Sequence, residues 1–219
     1  MLSLAALTGC AERHLGHYID IGGPRAFNTY DRQGNPDRLE PVDCLAPALL
    51  SVPISYGQVV PLFQPDGAGA SLLEAMQAVL GDRRCVTADF LDVRLDDREG
   101  PWHLVDRALA LSGNVKGIKA VAVTKILHRK RPHLVPIFDS SVYRFYTGEV
   151  PPVGACRDTP RTLWPLYQSD LRAHRRWLTE LASHTVTPDG RPLSLLRAAD
   201  IVIWEHEVTG CEAAGVVPA

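Results

Sequence analysis

Asp139 is the residue of this sequence whose type and setting point most directly to chemistry. It follows the segment Leu134–Phe138, which Pro132 and Pro136 hold out of a helix, and it precedes Ser140–Val142. An aspartate in this position commonly caps the N-terminus of a helix. A carboxylate that faces a ligand cleft can also activate water or stabilise positive charge on a sugar ring. The two roles can coexist in one residue.

A basic segment lies just before this aspartate. Lys116–Arg131 contains six Lys and Arg residues and no Asp or Glu. The other residues contain 17 basic and 25 acidic side chains and therefore carry a formal charge of about −8. Positive charge concentrated on an acidic body favours a local anionic ligand over a protein that coats nucleic acid with its whole surface. A solvated helix face is the simpler interpretation of the same run.

A turn that contains Gly113 and Gly117 precedes the helix predicted for the basic segment. Glycine relieves crowding in such a turn, and the free N–H groups at the start of the next helix suit a phosphate. Contacts of this kind position a nucleic acid without reading its sequence. The residues predicted to bind phosphate or nucleic acid are Gly113, Lys116, Gly117, Arg129, Lys130, Arg131 and Arg144.

Asp139 is the predicted catalytic carboxylate, and Lys119 and Lys125 are the candidate catalytic lysines beside it. A lysine that is desolvated, so that part of it is neutral, can attack C1′ of a sugar and form a Schiff base. Ligand binding is the favoured role for these lysines, with nucleophilic attack as the alternative. Asp139 is therefore the residue to test first.

Hydrophobic periodicity predicts a mainly α-helical chain with few short strands. A buried helix face is clear in Ser71–Leu80, and further helices are predicted to begin at Pro101, to span Arg161–Ser183 and to span Leu193–Trp204. Asp43 is predicted to cap a short helix that runs to about Leu50. Residues 20–38 are rich in Gly, Pro, Asn and Asp. We therefore expect one globular domain over residues 1–219, with residues 1–40 partly irregular.

Composition predicts a cytoplasmic protein. The five cysteines form no CxxC pair, which favours reduced thiols over a disulfide framework or an iron–sulfur cluster. No apolar run reaches the ~18 residues that a membrane helix needs. No GxSxG, Walker or GxGxxG pattern occurs, so no cofactor is predicted. The oligomeric state is not indicated.

His14 and His17 are a weaker candidate for chemistry. Two histidines three residues apart on a helix are a potential metal pair, but no third ligand lies near them in the sequence. Surface histidines are therefore the favoured interpretation, and no metal site is predicted.

The stretch Leu111–Tyr146 resembles the helix-hairpin-helix DNA glycosylase superfamily, in which a Gly-rich hairpin and its helix lead to a proline-flanked catalytic aspartate. Pro136–Arg144 is similar to the aspartate segment of that family, and Leu111–Gly117 occupies the hairpin position. The family hairpin reads close to L-P-G-V-G, whereas two more residues separate the glycines here. Lys119 lies twenty residues before Asp139, as does the nucleophilic lysine of lyase-type members. Lys125 lies fourteen before it.

A second resemblance covers most of the chain. Three blocks resemble those of a bacterial family of unknown function: Pro41–Ala46 with Leu49–Val52, Lys125–Pro136 with Asp139, and Leu195–Trp204. If the two resemblances are nested, the chain is a diverged member of the glycosylase-like fold, a helical bundle.

These resemblances imply a glycosylase-like enzyme that acts on an N-glycosidic bond in DNA or a nucleotide, with Asp139 as the catalytic carboxylate. Aromatic residues would then line a pocket for the base. The candidates are Trp102, Trp164, Trp204, Phe138, Tyr143 and Tyr146. One alternative is a non-catalytic helix-hairpin-helix module that binds nucleic acid. The other is an interaction protein whose basic helix docks an acidic partner.

Overall fold

The computed structural model describes residues 2–19, 29–31, 34–67, 69–187 and 190–211. Its α-helices, in chain order, are α1 (Ala11–Ile19), α2 (Pro41–Leu45), α3 (Tyr56–Val59), α4 (Ala70–Gly81), α5 (Arg83–Thr87), α6 (Pro101–Leu111), α7 (Ala120–Lys130), α8 (Ser140–Thr147), α9 (Asp158–Ala173), α10 (Arg175–His184) and α11 (Leu195–Thr209). Shorter 3₁₀ turns span Leu4–Leu7, Ala46–Leu50, Val60–Leu62 and Ser112–Asn114.

The predicted mainly α-helical class is confirmed. Within the described ranges, the β-pairing consists of one isolated antiparallel bridge between Val186 and Pro192. No described helix combines the length and the apolar character that a membrane span requires. The finer expectation, a helix-hairpin-helix glycosylase fold, stays a prediction.

Two helices have the boundaries expected from periodicity and capping, whereas the helix predicted for Leu193–Trp204 is observed at Leu195–Thr209. The helices at Ala70–Gly81 and Pro101–Leu111 are confirmed within about one residue. One long helix was predicted for Arg161–Ser183, but α9 and α10 are separate because His174 leaves the helical conformation, with φ −110° and ψ 14°. The local geometry at this residue breaks a pattern whose apolar spacing continues on both sides.

The cap predicted for the short helix α2 is wrong by three residues. Its N-cap is Glu40, and Asp43 is the third helical residue, whose carboxylate accepts a hydrogen bond from the Glu40 N–H at 3.0 Å. Asp43 thus belongs to a capping box, in which two residues satisfy each other's free N–H groups. Pro41 occupies the first helical position, where its missing N–H costs nothing.

The core is one large apolar cluster around α7. The helix pairs α4 and α6, α1 and α11, and α8 and α11 pack against each other. An aromatic group fills the region beside them, with Phe90 and Trp102 ring centroids 5.1 Å apart and Trp102 and Trp164 centroids 5.7 Å apart. Trp102, Trp164, Phe138 and Tyr146 are all buried. These four of the six candidate pocket residues are therefore core residues.

His128 lies on α7, buried in this core, and we expect it to destabilise the protein in acid. Its Nδ1–H donates to the Val135 carbonyl at 2.6 Å. Burial, reinforced by the Arg197 charge, lowers its pKa from 6.5 to about 3. The unfolded chain takes up this proton below pH ~6.5 and the folded chain does not, so stability present above that pH is lost as the pH falls toward 3.

The measurement is the free energy of unfolding of wild type and His128→Gln between pH 7 and pH 4. Wild type should lose several kcal/mol more than the variant over this range, at roughly 1.4 kcal/mol per pH unit. His103→Gln, at an exposed position on α6, is the matched control and should follow wild type. Parallel curves for wild type and His128→Gln would contradict the expectation.

Candidate functional site

Lys125 and Asp139 meet at the centre of the candidate site. Asp139 is the N-cap of α8, and its Oδ1 accepts hydrogen bonds from the N–H groups of Ser141 at 3.0 Å and Val142 at 3.1 Å. Its Oδ2 lies 3.4 Å from Nζ of Lys125, which is in the middle of α7. Nζ also donates to the Leu50 carbonyl at 3.2 Å. Asp139 therefore caps a helix with one oxygen and presents the other to a buried cation.

A small cavity opens beside this ion pair. It has room for about 30 Å³ of solvent, which is close to the volume of one water molecule. Its lining comes from α1, the end of the 3₁₀ turn Ala46–Leu50, α7, α8 and α11. The lining residues are Tyr18, Leu50, Ser51, Lys125, Asp139, Arg197, Asp200, Ile201 and Trp204. Polar groups that are far apart in the sequence thus converge on one point.

Asp200 brings a second carboxylate to the cavity from α11. Arg197, one helical turn earlier, donates to its Oδ2, while Oδ1 is buried and has no hydrogen-bond partner in the described part of the chain. Burial raises the pKa of Asp200 to about 7; the Arg197 charge opposes this rise and the negative charge of Asp139 adds to it. The neutral acid form of Asp200 is therefore populated near neutral pH.

Arg197, which donates a hydrogen bond to Asp200, also contacts an aspartate and two tyrosines. Its Nε donates to Asp31 Oδ1 at 2.7 Å, and its Nη2 donates to the Tyr18 hydroxyl. The rings of Tyr18 and Tyr30 each lie 5.0 Å from the guanidinium carbon, within the range of a cation–π contact. The guanidinium is thus a fixed element of the cavity wall.

Ser51 lies at the cavity in a strained backbone conformation. Its φ of 61° is the one positive value for a non-glycine residue among those described. It ends the 3₁₀ turn in the left-handed region, and the residue before it, Leu50, directs its carbonyl at Lys125. Left-handed residues other than glycine carry a conformational cost and are enriched at functional sites.

The other candidate lysine, Lys119, is placed elsewhere. Its Nζ donates to the carbonyls of Ser112 at 3.3 Å and Gly113 at 3.1 Å, and it does not line the cavity. Gly117 has a φ of +80°, and a Cβ there would lie 2.5 Å from the Gln58 amide nitrogen. Lys119 therefore bonds to the turn before α7, and Lys125 is the lysine that shares a cavity with Asp139.

The cations predicted to bind phosphate are mostly buried and paired inside the protein. Arg129 Nη1 and Lys130 Nζ lie 3.1 Å and 2.8 Å from the same Asp43 oxygen. Arg131 donates to the Pro36 carbonyl at 2.9 Å and contacts Asp37 at 3.2 Å. The basic run is therefore not a solvated helix face, and these three groups do not form a free cationic surface.

The remaining predicted residues lie at the surface. Arg144 is 3.4 Å from Glu207, and Lys116 and Gly113 are exposed. None of the three lines the cavity. Phosphate or nucleic-acid binding by the predicted set stays a prediction.

Sequence reasoning did not select Tyr18, Arg197 or Asp200. The block Leu195–Trp204 contains the one usable signal, an Arg and an Asp three residues apart in an otherwise apolar helix. Charged side chains in such a helix are rarely buried without a partner, so this pair marks a buried polar site. Trp204, which was a predicted pocket residue, does line the cavity and is half-buried.

Comparison with known proteins gives one match. The model of a family of unknown function, DUF6308, matches residues 11–207. All three sequence blocks that pointed to a family of unknown function lie inside this range, so the prediction is confirmed at that level. No curated protein and no solved structure is significantly similar to the chain. The glycosylase resemblance therefore rests on the sequence motifs alone.

Proposed function

The chain belongs to DUF6308, a family of unknown function, and we propose that it hydrolyses the N-glycosidic bond of a nucleoside or nucleotide. The observation that carries the proposal is the cavity in which Asp139 and Asp200 converge beside Lys125. Hydrolysis of a glycosidic bond requires one carboxylate that is charged and one acid that can donate a proton. Asp139 lies beside the Lys125 ammonium group, whereas burial raises the pKa of Asp200.

The two carboxyl groups divide the reaction between them. When the bond between C1′ and the base nitrogen breaks, positive charge develops on the sugar. The Asp139 carboxylate stabilises that charge and accepts a proton from the water whose oxygen bonds to C1′. The neutral form of Asp200 donates its proton to the leaving base nitrogen, and solvent restores it. A raised pKa of about 7 suits a general acid that works near neutral pH.

Lys125 is assigned a positioning role in this reaction. It is held between the Leu50 carbonyl and Asp139, so its ammonium group fixes the direction of the carboxylate oxygen. Borohydride reduction during turnover should trap no covalent adduct. An adduct formed by wild type and Lys119→Met but not by Lys125→Met would instead make Lys125 the nucleophile.

A compact substrate suits this site better than a long duplex does. The cavity beside the two aspartates accommodates one water, so the nucleoside itself would lie at the cavity mouth, and Trp204 is the aromatic residue besides Tyr18 that lines the cavity. Arg129, Lys130 and Arg131 already have internal partners and contribute little free charge for a phosphate backbone. The same pairing weakens the two alternatives that rely on a free basic helix, a nucleic-acid-binding module and a site for an acidic partner.

The test is release of free base from a panel of nucleosides, nucleotides and DNA that contains damaged bases, with the sugar, the sugar phosphate or the abasic site as the second product. We expect turnover on at least one nucleoside or nucleotide and weaker or no turnover on duplex DNA. Absence of base release from every member of the panel, with folded protein, would remove the proposal.

Asp200→Asn gives a prediction that does not require the substrate. The pKa of Asp200 is raised from 3.8 to about 7, so the folded chain keeps a proton that the unfolded chain loses. This contribution to stability is complete below pH ~4, declines as the pH rises and is absent above pH ~7. The free energy of unfolding of wild type minus that of Asp200→Asn should therefore fall by several kcal/mol between pH 4 and 7.5, at roughly 1.4 kcal/mol per unit.

Chemical denaturation at half-unit pH steps measures this difference. Asp66→Asn, at an exposed position outside the cavity, is the control and should show no such trend. A difference that stays constant with pH would show that Asp200 ionises normally and would remove its role as the acid.

A further inference from the structure

Three side chains of types that bind metal ions meet near the start of α1 and the end of α11, and none of the three lines the cavity of the proposed reaction. The sulfurs of Cys10 and Cys211 and an imidazole nitrogen of His14 all lie within 4.8 Å of one another. The two cysteines form a disulfide in the structure, and His14 Nε2 is 3.6 Å from the Cys211 sulfur. The expectation that all the cysteines are reduced is wrong for this pair, and His14 is buried and not a surface histidine.

Hydrogen bonds near these three residues also hold them close to one another, in addition to the bond between the sulfurs. The His14 N–H donates to the Cys10 carbonyl at 3.0 Å, so the two residues stand one helical turn apart on the same face of α1. Cys211 follows α11, and the Arg13 side chain donates to the carbonyl of the preceding Gly210 at 3.3 Å. The Cα atoms of the two cysteines are 5.8 Å apart.

We infer that, with the disulfide reduced, Cys10, His14 and Cys211 form a binding site for a Zn²⁺ ion. Two thiolates and an imidazole are a ligand set that zinc prefers, with Zn–S near 2.3 Å and Zn–N near 2.0–2.1 Å. At a tetrahedral angle these lengths place a sulfur and a nitrogen about 3.5 Å apart. The 3.6 Å between the Cys211 sulfur and His14 Nε2 fits that edge of the tetrahedron.

The fourth position can be taken by water. A hollow of about 400 Å³ is lined by Arg13, His14, His17 and Thr209, so it reaches the group of ligands at His14. The buried carboxylate of Glu205 lies 3.1 Å from His17, which is one of the residues that line this hollow. The solvent-accessible hollow and the buried carboxylate give an incoming cation an entry path and a compensating charge.

The disulfide and the zinc site are alternative states of the same sulfurs. A dithiol or phosphine reductant supplies two electrons, and with two protons the S–S bond becomes two thiols. Zinc then displaces the two thiol protons and binds the thiolates. A small-molecule disulfide then accepts the two electrons of the thiolates and becomes two thiolates itself, which forms the S–S bond of the protein again and expels the ion. In either state the site links α1, which contains Tyr18, to the end of α11, which contains Asp200. The inference does not depend on the proposed function.

The test is zinc binding by the full chain after reduction with a non-chelating phosphine and removal of metal. We expect one zinc per chain, and with cobalt the absorption bands of a tetrahedral thiolate-ligated ion. Cys211→Ala and His14→Gln should each weaken zinc binding by roughly 10–100-fold or more. Cys211 follows the last helix, so its replacement leaves the helices intact.

Cys156→Ser is the matched control, because Cys156 is a free cysteine that lies outside this group. It should bind zinc as wild type does. Less than one zinc per ten chains after reduction, or equal binding by wild type, Cys211→Ala and His14→Gln, would overturn the inference and leave the pair as a disulfide only. Circular dichroism of each variant verifies that it is folded.

Discussion

Replacing Asp139 by Asn should reduce kcat on the substrate identified in the base-release panel by roughly 10²–10⁴-fold. The amide cannot carry the negative charge that stabilises the developing sugar cation, nor accept a proton from water. Asparagine is as good an N-cap as aspartate, so the bonds to Ser141 and Val142 can persist. Its amide NH2 group then replaces the oxygen that faced Lys125, so the ion pair between Lys125 and residue 139 is lost. Because this ion pair is mostly buried, the melting temperature should fall, and circular dichroism at the assay temperature verifies that the variant is folded when its rate is measured.

The matched control is Asp106→Asn. Asp106 forms an ion pair with Arg157 at 2.5 Å and does not line the cavity. This variant should keep wild-type kcat. Substrate binding should survive in Asp139→Asn, so kcat and kcat/KM should fall together while KM stays nearly constant. A rise in KM with unchanged kcat would assign Asp139 to binding alone. Equal rates for Asp139→Asn and wild type would reduce Asp139 to a helix cap.

Helices and caps could be predicted because they depend on neighbours in the sequence. The start of α6 could be predicted from Pro101, a residue favoured in a first helical turn. The boundaries of α4 followed from the i, i+3, i+4 spacing of its apolar residues. The cap at Asp139 followed from its position between prolines and serines, and it is present. Each of these features is decided within a few residues of backbone.

The burial of the basic segment could not be predicted in the same way. Charge runs usually lie on solvated faces, and Lys130 and Arg131 look like surface residues in the sequence alone. They are buried because Asp43 and Asp37, more than eighty residues earlier, fold against the end of α7. A partner at that separation has no local signature, so the sequence indicated a cationic surface where the structure has internal ion pairs.

Only the part of the candidate site that lies within one sequence motif could be predicted. Lys125 and Asp139 are fourteen residues apart and belong to one motif, so both were named. Asp200 reaches the cavity only through the packing of α11 against α8, and its raised pKa follows from burial that only the folded chain creates. Cys10 and Cys211 are separated by 201 residues, which hid the third ligand beside His14.

Asp43 provides the second large expected effect, on stability. Its carboxylate is nearly inaccessible and is the shared partner of Arg129 and of Lys130, whose side chain is fully buried. Asp43→Ala removes the shared carboxylate from these two cations, which keep their hydrogen bonds to the backbone carbonyls of Tyr30 and Asn35. Removing one member of a buried ion pair typically costs about 3–5 kcal/mol, a large part of the ~5–15 kcal/mol that stabilises a domain. Urea denaturation should show a loss of this size.

An exposed ion pair, Asp96 with Arg94, is the control for this experiment. Asp96 pairs with Arg94 at 3.2 Å with both side chains about three-quarters exposed, so Asp96→Ala should leave stability unchanged. Adding Lys130→Met to Asp43→Ala should recover part of the loss, since one uncompensated charge is removed. If Asp43→Ala were as mild as Asp96→Ala, the cations of α7 would be free to serve a ligand, and the nucleic-acid-binding alternative would regain its basis. A large loss of stability in Asp43→Ala, partly recovered by Lys130→Met, would instead show that the end of the basic segment stabilises the fold. Lys125 is then the residue of the basic segment that lines the cavity.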